Sequence, residues 1–403
     1  MFGVRGSLKE LLKTPAPYGP DIDLSNYDMD LPEIQEGREV VDEISDVSSR
    51  LGFNDTSKLS YIQVNEVAVY KALEESLSKY GVRVLPLRKA LEELPNVKEL
   101  AWKLVRPDLD KYTVASYLYG GELGYFIYVP PNTEVPAPIY SCLAITRDRK
   151  IQFAHNIVYV DSNSVAHVVT GCAVPHGVKG GLHIGISEFY VGRGSRLTFS
   201  MIHAWSEGLH VRPRTAVSVD DGGEYVSYYV IYSPVASLQT YPSVRLGRSS
   251  KAYLASVIAG SGESVYDVGS KAVLGGLNAS AEVVSRVVAY DSSRIYARSE
   301  IVAEDAGRGH VECLGLLLSS NAEIHSIPTL TSKKPEALLS HEAAIGMIAQ
   351  DEIEYLMSKG FTEGEAKSII VRGFMNVEVK GLPLTVMMEI DRLLDMISRH
   401  ATG

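Results

Sequence analysis

The stretch YDSSRIYARSEIVAEDAGRGHVECLGLLLSSNA, residues 290–322, contains two runs rich in Val, Ile, Leu and Ala between three turn sequences. The turns begin at positions 290, 304 and 319, so they are 14 and 15 residues apart. Asn, Asp and Gly tolerate positive φ, and Ser and Asp bond to the local backbone, which is typical of tight turns. A two-strand coil, with about six residues per strand plus corners, fits this spacing. Repeated β-units of this kind predict a β-solenoid, because each coil buries its face against its neighbours.

The same sequence pattern extends over residues 112–330, where short runs of Val, Ile, Tyr, Thr and Ser alternate with turns. The further turn sequences are DSNS (161–164), GRGS (192–195), DDGG (220–223), GRSS (247–250) and GLNA (276–279). Their starts are 31, 28, 27 and 29 residues apart, about twice the shorter step. A β-sandwich also has regularly spaced turns, so the period leaves that fold open. We favour the solenoid.

Helix-like segments flank the β-region. We therefore expect a mixed α/β N-terminal region over residues 1–111, a β-helix core over 112–334 and a helical region over 335–403. In the first region, Asn65 is placed to cap a helix through VAVYKALEESLSKY, and Pro95 divides a second helical segment, RKALEELPNVKELAWKLV.

The composition argues against several classes of protein. The 403 residues include 39 basic and 49 acidic side chains, giving a formal net charge of −10, and no block of Lys and Arg is present. A nucleic-acid binder usually presents a basic face. The N-terminal stretch lacks an apolar run of signal-peptide length, and no uncharged apolar run is long enough for a membrane helix. We expect a cytoplasmic protein with neither nucleic acid nor membrane as a partner.

The three cysteines, Cys142, Cys172 and Cys313, are widely separated and form no CxxC pair. This spacing argues against a disulfide framework and against a structural zinc knuckle. Taken singly, each is expected to be a small buried apolar side chain.

Four segments resemble the SufB/SufD family. SHEAAIGMIAQDEIEYLMSKGFTEGEAKSIIVRGF (340–374) resembles the family's C-terminal signature, and GHVECLGLLLSSNAEIHSIPTL (309–330) resembles its cysteine-bearing strand. GCAVPHGVKGGLHIGISEFYVGRGSRLTFSMIHAW (171–205) is similar to the SufB stretch that begins GCxxP, and IYVPPNTEVPAPI (127–139) to the family's entry into the β-helix. The segments follow the family's order and span roughly residues 120–400.

The resemblance implies a mainly β protein with a right-handed parallel β-helix core, flanked by the N- and C-terminal regions. It implies a scaffold, not an enzyme, on which iron–sulfur clusters are built. The implied partners are a SufC-type ABC ATPase and a second SufB/SufD-like subunit, in a homodimer or a heterodimer. Cys172, Cys313 and the His341-Glu342 pair match SufB positions.

The sequence also departs from SufB. Ser340 stands where SufB usually has an acidic residue, and only the Trp of the family's TVQNW line is retained, in 201–205. The stretch 212–215 lacks the family's lysine. If these positions line a sulfur-transfer path in SufB, we expect the path to be altered or unused here.

The resemblance gives each candidate site residue a role. Cys313 and Glu342, with the same pair from a second subunit, would make a four-ligand mixed site for a transient cluster, expected to be [4Fe-4S]. His341 would bind iron or accept the proton that keeps Cys313 a thiolate; the alternative is a histidine capping a helix start. Cys172 would accept persulfide sulfur; the alternative is a packed core thiol. Cys142 matches no functional position of the family and is expected in the core.

The C-terminal helices dock the ATPase in this family. The apolar side chains expected to make that contact, or to pack on the β-helix instead, are Tyr355, Leu356, Met357, Ile369, Ile370 and Phe374. The chain has no GxxxxGK[ST] loop, so ATP would enter only through the partner ATPase.

Two other functions compete with the SufB-like scaffold. A SufD-like subunit would stabilise the complex without a cluster of its own. A β-solenoid enzyme acting on polysaccharide would need carboxylates clustered in an exposed groove. The pairs Asp220-Asp221 and Glu304-Asp305 fall inside predicted turns, which disfavours the enzyme.

Eight further histidines show no HxH or HxxxH pair and are interpreted as ordinary strand residues. They are His155, His167, His176, His183, His203, His210, His310 and His325.

Overall fold

A computed structural model describes residues 8–29, 33–36, 47–48, 50–51, 59–70, 75–120 and 122–378, and eight residues beyond these ranges, at 384, 387–388, 391–392, 394–395 and 398. Strands dominate the described residues. They are β1 (Glu33–Glu36), β2 (Leu59–Val64), β3 (Val67–Tyr70), β4 (Arg83–Pro86), β5 (Tyr125–Val129), β6 (Ile139–Ala144), β7 (Lys150–Val160), β8 (Val165–Ala173), β9 (Gly181–Val191), β10 (Arg196–Ala204), β11 (Leu209–Val211), β12 (Arg214–Val219), β13 (Glu224–Ile231), β14 (Ser237–Thr240), β15 (Ser243–Leu246), β16 (Lys251–Gly260), β17 (Val265–Leu274), β18 (Ala279–Ala289), β19 (Arg294–Ala303), β20 (Gly307–Leu317), β21 (Glu323–Ser332) and β22 (Leu338–Met347).

Short helices lie before and after this β-region, and a 3-10 turn covers Leu24–Asn26. The described α-helices are α1 (Glu75–Ser78), α2 (Leu87–Glu93), α3 (Val97–Leu100), α4 (Lys111–Tyr119), α5 (Gln350–Ser358) and α6 (Glu363–Phe374). No helix in the described part of the chain is long and apolar enough to cross a membrane.

The strands stack as parallel coils into a β-solenoid of about eight turns, which confirms the predicted mainly β fold. The first sheet has the order β1-β3-β2-β6-β8-β10-β13-β16-β18-β20-β22. The second sheet runs from β4 and β5 through β7 and β9 to β17, β19 and β21. Lys251 pairs with Ser280, and Ser280 with Arg308, steps of 29 and 28 residues. Each coil therefore contributes to both sheets, as the turn spacing predicts, and in two coils the second-sheet strand is divided, as β11 with β12 and β14 with β15.

The predicted turn sequences join these strands. Asn163 of DSNS and Asn278 of GLNA have φ of 57° and 60°, and Gly194 of GRGS has φ of 66°. These left-handed conformations favour Asn and Gly, which explains why the turns could be read from the sequence.

The space between the two sheets holds the main core. Alternate residues of each strand point inward, and most are Val, Ile, Leu or Ala. Outside the first sheet, a second apolar cluster includes Val371 and Met375, at the C-terminal end of α6. Outside the second sheet, α2, α3 and α4 cover β5, β7 and β9. The solenoid is thus covered over part of its length by the flanking regions.

The N-terminal region differs from its prediction. Asn65 caps no helix; it has φ of 52° and lies in the tight turn of an antiparallel hairpin in which Tyr61 pairs with Tyr70. Over Val67–Tyr70 the helical pattern was overridden, because this strand pairs with β2, and β2 adds to the first sheet, where Ile62 pairs with Cys142. The helix α1 lies in the later part of the predicted segment, and residues 71–74 lie outside the described residues. Pro95 does separate α2 from α3, as predicted.

The C-terminal helices also begin later than the boundary drawn at 335. β22 still belongs to the solenoid over Leu338–Met347, and α5 starts at Gln350. His341 and Glu342 consequently lie in a strand, not at a helix start. Thr362 and Glu365 form a capping box at the start of α6.

Candidate functional site

Cys313 lies inside the solenoid on β20, one strand before the end of the first sheet. Its side chain is 2% exposed. The Ser299 hydroxyl is 3.3 Å from its Sγ, Ser285 is its neighbour in register on β18, and Ser326 contributes a further buried hydroxyl. Burial raises the pKa of the Cys313 thiol, and the serine hydroxyls, Ser299 foremost, partly offset that rise. The thiol is buried but surrounded by small polar groups.

Cys313 also ends a row of stacked side chains that we call the inner ladder. Its members pair in register from strand to strand along the inner face of the first sheet: Ser141, Thr170, Met201, Tyr229, Ser256, Ser285 and Cys313. None of them is Val, Ile or Leu, in contrast with most of the core around them. The ladder is therefore a continuous column of polar and sulfur-containing side chains through an aliphatic interior.

The second predicted sulfur residue, Cys172, lies beside the other end of this ladder. It is fully buried on β8, and its Sγ is 3.6 Å from Met201 Sδ. Five strand-to-strand steps separate β8 from β20, which is roughly 24 Å at the usual strand spacing. Burial raises the pKa of the Cys172 thiol well above its ordinary value.

Cys142 has a different position. It is fully buried in the apolar cluster outside the first sheet, as the prediction of a core cysteine requires. Burial raises the pKa of its thiol to about 12. This cysteine shares neither the inner ladder nor the surroundings of Cys313.

The His341-Glu342 pair is divided between the two faces of β22. His341 pairs with Val311, a buried core residue, so the imidazole lies on the inner face, as Cys313 does. Glu342 pairs with Glu312 on the outer face. Within one subunit the structure thus brings His341 to the face of Cys313 and directs Glu342 to the opposite one.

Both residues lie at an open end of the solenoid. β22 pairs with β20, and β21 with β19, and no further described strand covers either. Apolar side chains are consequently exposed there: Leu338 is 63% exposed, Met347 66% and Ile345 42%. An uncovered edge strand offers unpaired backbone groups to another chain.

A third group of residues was missed from the sequence. His310, Glu312 and Glu342 lie on the outer face of the first sheet, and their ligand atoms are all within 4.8 Å of one another. The spacing of His310 and Glu312 in His-x-Glu was the available signal, because residues two apart in a strand share a face. The register that adds Glu342 from β22 could not be read from the sequence.

On the C-terminal helices, the apolar residues predicted to contact the ATPase divide into two sets. Tyr355, Met357 and Ile369 are exposed, by 63%, 44% and 44%. Leu356, Ile370 and Phe374 are partly buried, and Phe374 packs against the cluster outside the first sheet. Packing on the β-helix is thus seen for Phe374, and contact of the exposed set with an ATPase stays a prediction.

The fold and the site define a parallel β-solenoid whose thiol, imidazole and carboxylate groups gather at one open end. The family model described as "SUF system FeS cluster assembly, SufBD core domain" matches residues 143–374, and the chain belongs to this family.

Three relatives, each named as an iron-sulfur cluster assembly SufBD family protein, are similar to most of the chain. The one from Methanothermobacter thermautotrophicus is 38% identical over 408 residues, 98% of each chain. The one from Archaeoglobus fulgidus is 40% identical over 346 residues, 86% of this chain and 92% of its own. The one from Pyrococcus horikoshii is 31% identical over 406 residues, 97% of this chain and 90% of its own. The resemblance found in the sequence is confirmed at the level of the family.

Proposed function

We propose that this SufBD family protein is a SufB-like scaffold on which an iron–sulfur cluster is assembled around Cys313. The observation that carries the proposal is the position of the Cys313 thiol at the end of the inner ladder, one strand from the open end. Of the three thiols it is the one whose pKa is lowered by hydrogen bonds from serine hydroxyls, Ser299 foremost, and such donors favour the thiolate that binds iron.

The donor set supports assembly between two chains. Iron–sulfur clusters are bound through thiolates, usually four of them, and this end of one subunit offers a single thiol with the His341 imidazole on the same face. A second subunit stacked on the open end would supply further donors, and Glu342 of the terminal strand would lie at the edge of the junction. A ligand set with few thiolates suits a transient [4Fe-4S] cluster, because the finished cluster must leave the scaffold.

We further propose that the second subunit is another copy of this chain or a SufD-like relative. The exposed apolar residues Leu338, Ile345 and Met347 would be covered by that contact. If this chain itself has the SufD role, the complex forms in the same way but Cys313 binds no cluster.

Sulfur would reach the site from Cys172. The thiolate of Cys172 would attack the outer sulfur of a donor persulfide, breaking the donor S–S bond and forming a new one, and the donor leaves as a thiolate. The inner ladder supports this route because it connects the neighbourhood of Cys172 with Cys313. Burial disfavours the Cys172 thiolate, so this step requires that the solenoid admit the donor.

We propose that Tyr355, Met357 and Ile369 form the docking surface for a SufC-type ABC ATPase, which would supply ATP hydrolysis to a scaffold that has no catalysis of its own. Tyr355→Ala is expected to lower the amount of ATPase that co-purifies, with the exposed Tyr80→Ala as a matched control. Three free cysteines suit a reducing compartment, so we propose the cytoplasm.

Anaerobic reconstitution with iron and sulfide tests the central proposal. Cys313→Ser should lose most of the iron and acid-labile sulfide bound by the wild-type protein, whereas Cys142→Ser should retain it. Unchanged iron and sulfide in Cys313→Ser would remove Cys313 from the site. An equal loss in both variants would point to a general effect of thiol removal on the fold.

A further inference from the structure

We propose that His310, Glu312 and Glu342 form a site for a divalent first-row transition-metal ion on the outer face of the first sheet. This site is separate from the thiol inside the solenoid. That the ion is Fe²⁺, held for delivery to the cluster, rests on the proposed function; the metal site itself does not.

The geometry comes from the parallel register of two strands. His310 and Glu312 occupy alternate positions of β20, and Glu342 lies directly opposite Glu312 on β22. Their ligand atoms lie within 4.8 Å of one another. Ligand atoms around a bound ion are roughly 3–4 Å apart, given metal–ligand bonds of about 2.0–2.2 Å. Glu342 is exposed, so its side chain can rotate towards the other two ligands.

Two of the three ligands are held in place by their neighbours. The Ser340 hydroxyl lies 2.9 Å from His310 Nδ1, which fixes the ring and leaves Nε2 for a metal. The Arg286 guanidinium forms an ion pair with Glu312. Outer partners of this kind orient metal-binding imidazoles and carboxylates in known sites.

The charges favour a cation. Two carboxylates directly opposite each other on neighbouring strands repel one another. Arg286 balances Glu312, but Glu342 has no ion-pair partner in the part of the chain that the structure describes. A metal ion bound between the two would remove the repulsion and neutralise the remaining charge.

The donor types select the class of ion. One imidazole and two carboxylates suit Fe²⁺, Co²⁺, Mn²⁺ or Zn²⁺, whereas Ca²⁺ and Mg²⁺ prefer oxygen donors alone. Three protein ligands leave coordination positions open to water, which suits an ion that must be released. Glu312 and Cys313 are consecutive residues, so the site and the thiol are separated by the thickness of one strand.

Co²⁺ titration of the full-length protein tests the proposal, with the visible absorption of bound Co²⁺ as the readout. Using the Cys313→Ser background removes binding to that thiol. We expect about one tightly bound Co²⁺ per chain, with affinity lowered about 10-fold or more by His310→Ala and by Glu342→Gln. Addition of Fe²⁺ under anaerobic conditions should displace the Co²⁺.

The matched control is His325→Ala, because His325 lies next to Glu323 on the second sheet, and no third ligand joins them among the residues that the structure describes. It should bind Co²⁺ as its parent does, and Glu342→Asp should restore part of the affinity lost in Glu342→Gln. Full affinity in His310→Ala, or an equal loss in His325→Ala, would overturn the metal site. The two proposals can fail separately. If Co²⁺ binds as expected but the Cys313→Ser variant still assembles a cluster, the proposed cluster site is refuted and the metal site is not.

Discussion

Glu342 lies directly opposite Glu312, and not opposite Cys313, in the parallel register between β20 and β22. Since neighbouring residues of a strand point to opposite faces, this register separates two kinds of chemistry at one end of the solenoid. The Cys313 thiol and the His341 imidazole face inward. The His310 imidazole and the carboxylates of Glu312 and Glu342 face outward. A shift of β22 by one residue would place Glu342 on the inner face and His341 on the outer face, so both proposals depend on this register.

The first prediction concerns thiol reactivity. Because a serine hydroxyl favours the Cys313 thiolate, Ser299→Ala should raise the pKa of Cys313 further. Alkylation of Cys313 by iodoacetamide, followed by mass spectrometry, should then shift to higher pH by about one unit, the size of a hydrogen bond to a charged group.

Ser200→Ala is the matched control, because Ser200 is equally buried but lies on β10, away from Cys313. Its alkylation profile should coincide with that of the wild-type protein. In native protein, Cys313 should also react before Cys142 and Cys172, and a faster reaction of either would contradict the positions of the three thiols.

The second prediction concerns the open end. Ile345→Lys places a charge on the surface proposed to meet a second subunit, so the dimer expected for the wild-type protein should dissociate to monomers in sedimentation velocity. Leu277→Lys, at a turn with the same exposure, 43% against 42%, should leave the dimer intact. A monomeric wild-type protein, or a dimeric Ile345→Lys, would be inconsistent with a homodimer at this end.

The third prediction concerns the buried carboxylate of Glu188. It accepts hydrogen bonds from the backbone N–H groups of Trp102, Leu104 and Val105, and lies 2.7 Å from His155 Nε2. Removing it leaves buried donors unsatisfied, so Glu188→Ala should lower the free energy of unfolding by about 3–5 kcal/mol.

Chemical denaturation measures this change, with Glu263→Ala at an exposed turn as the control. That variant should remain within about 0.5 kcal/mol of the wild-type protein. If Glu188→Ala lowers the free energy of unfolding no more than Glu263→Ala does, the segment over 101–105 does not depend on the Glu188 carboxylate.

The fourth prediction concerns acid stability. Burial lowers the pKa of His183 from 6.5 to about 4, so the unfolded chain takes up a proton at a pH where the folded protein does not. The contribution of His183 to the free energy of unfolding is complete above pH 6.5 and is lost as the pH falls towards 4. Between pH 7 and pH 5, His183 accounts for a fall of about 2 kcal/mol in the free energy of unfolding.

His183→Gln should remove that share, which would appear as a smaller fall in unfolding free energy between the two pH values. His325→Gln, at an exposed position, should show the same fall as the wild-type protein. Identical pH dependence in His183→Gln and wild type would mean that His183 is not buried as a neutral imidazole.

Much of the β-core could be predicted because its signals are local. Asn163, Gly194 and Asn278 mark turns through their backbone conformation, and their spacing gives the coil length. The N-terminal hairpin could not be predicted, because the apolar pattern of 66–80 also fits a helix. Its pairing with β6 at the sheet edge, a long-range contact, decides the outcome.

The candidate site shows the same division. The solenoid, the family and Cys313 as the candidate thiol could be read from the sequence, because these depend on turn chemistry and on motifs contained in short segments. Which side chains meet depends on the tertiary structure. The register of β20 with β22 places His341 with Cys313 and Glu342 with His310, because a parallel ladder joins residues some 30 positions apart and alternation then assigns each to a face.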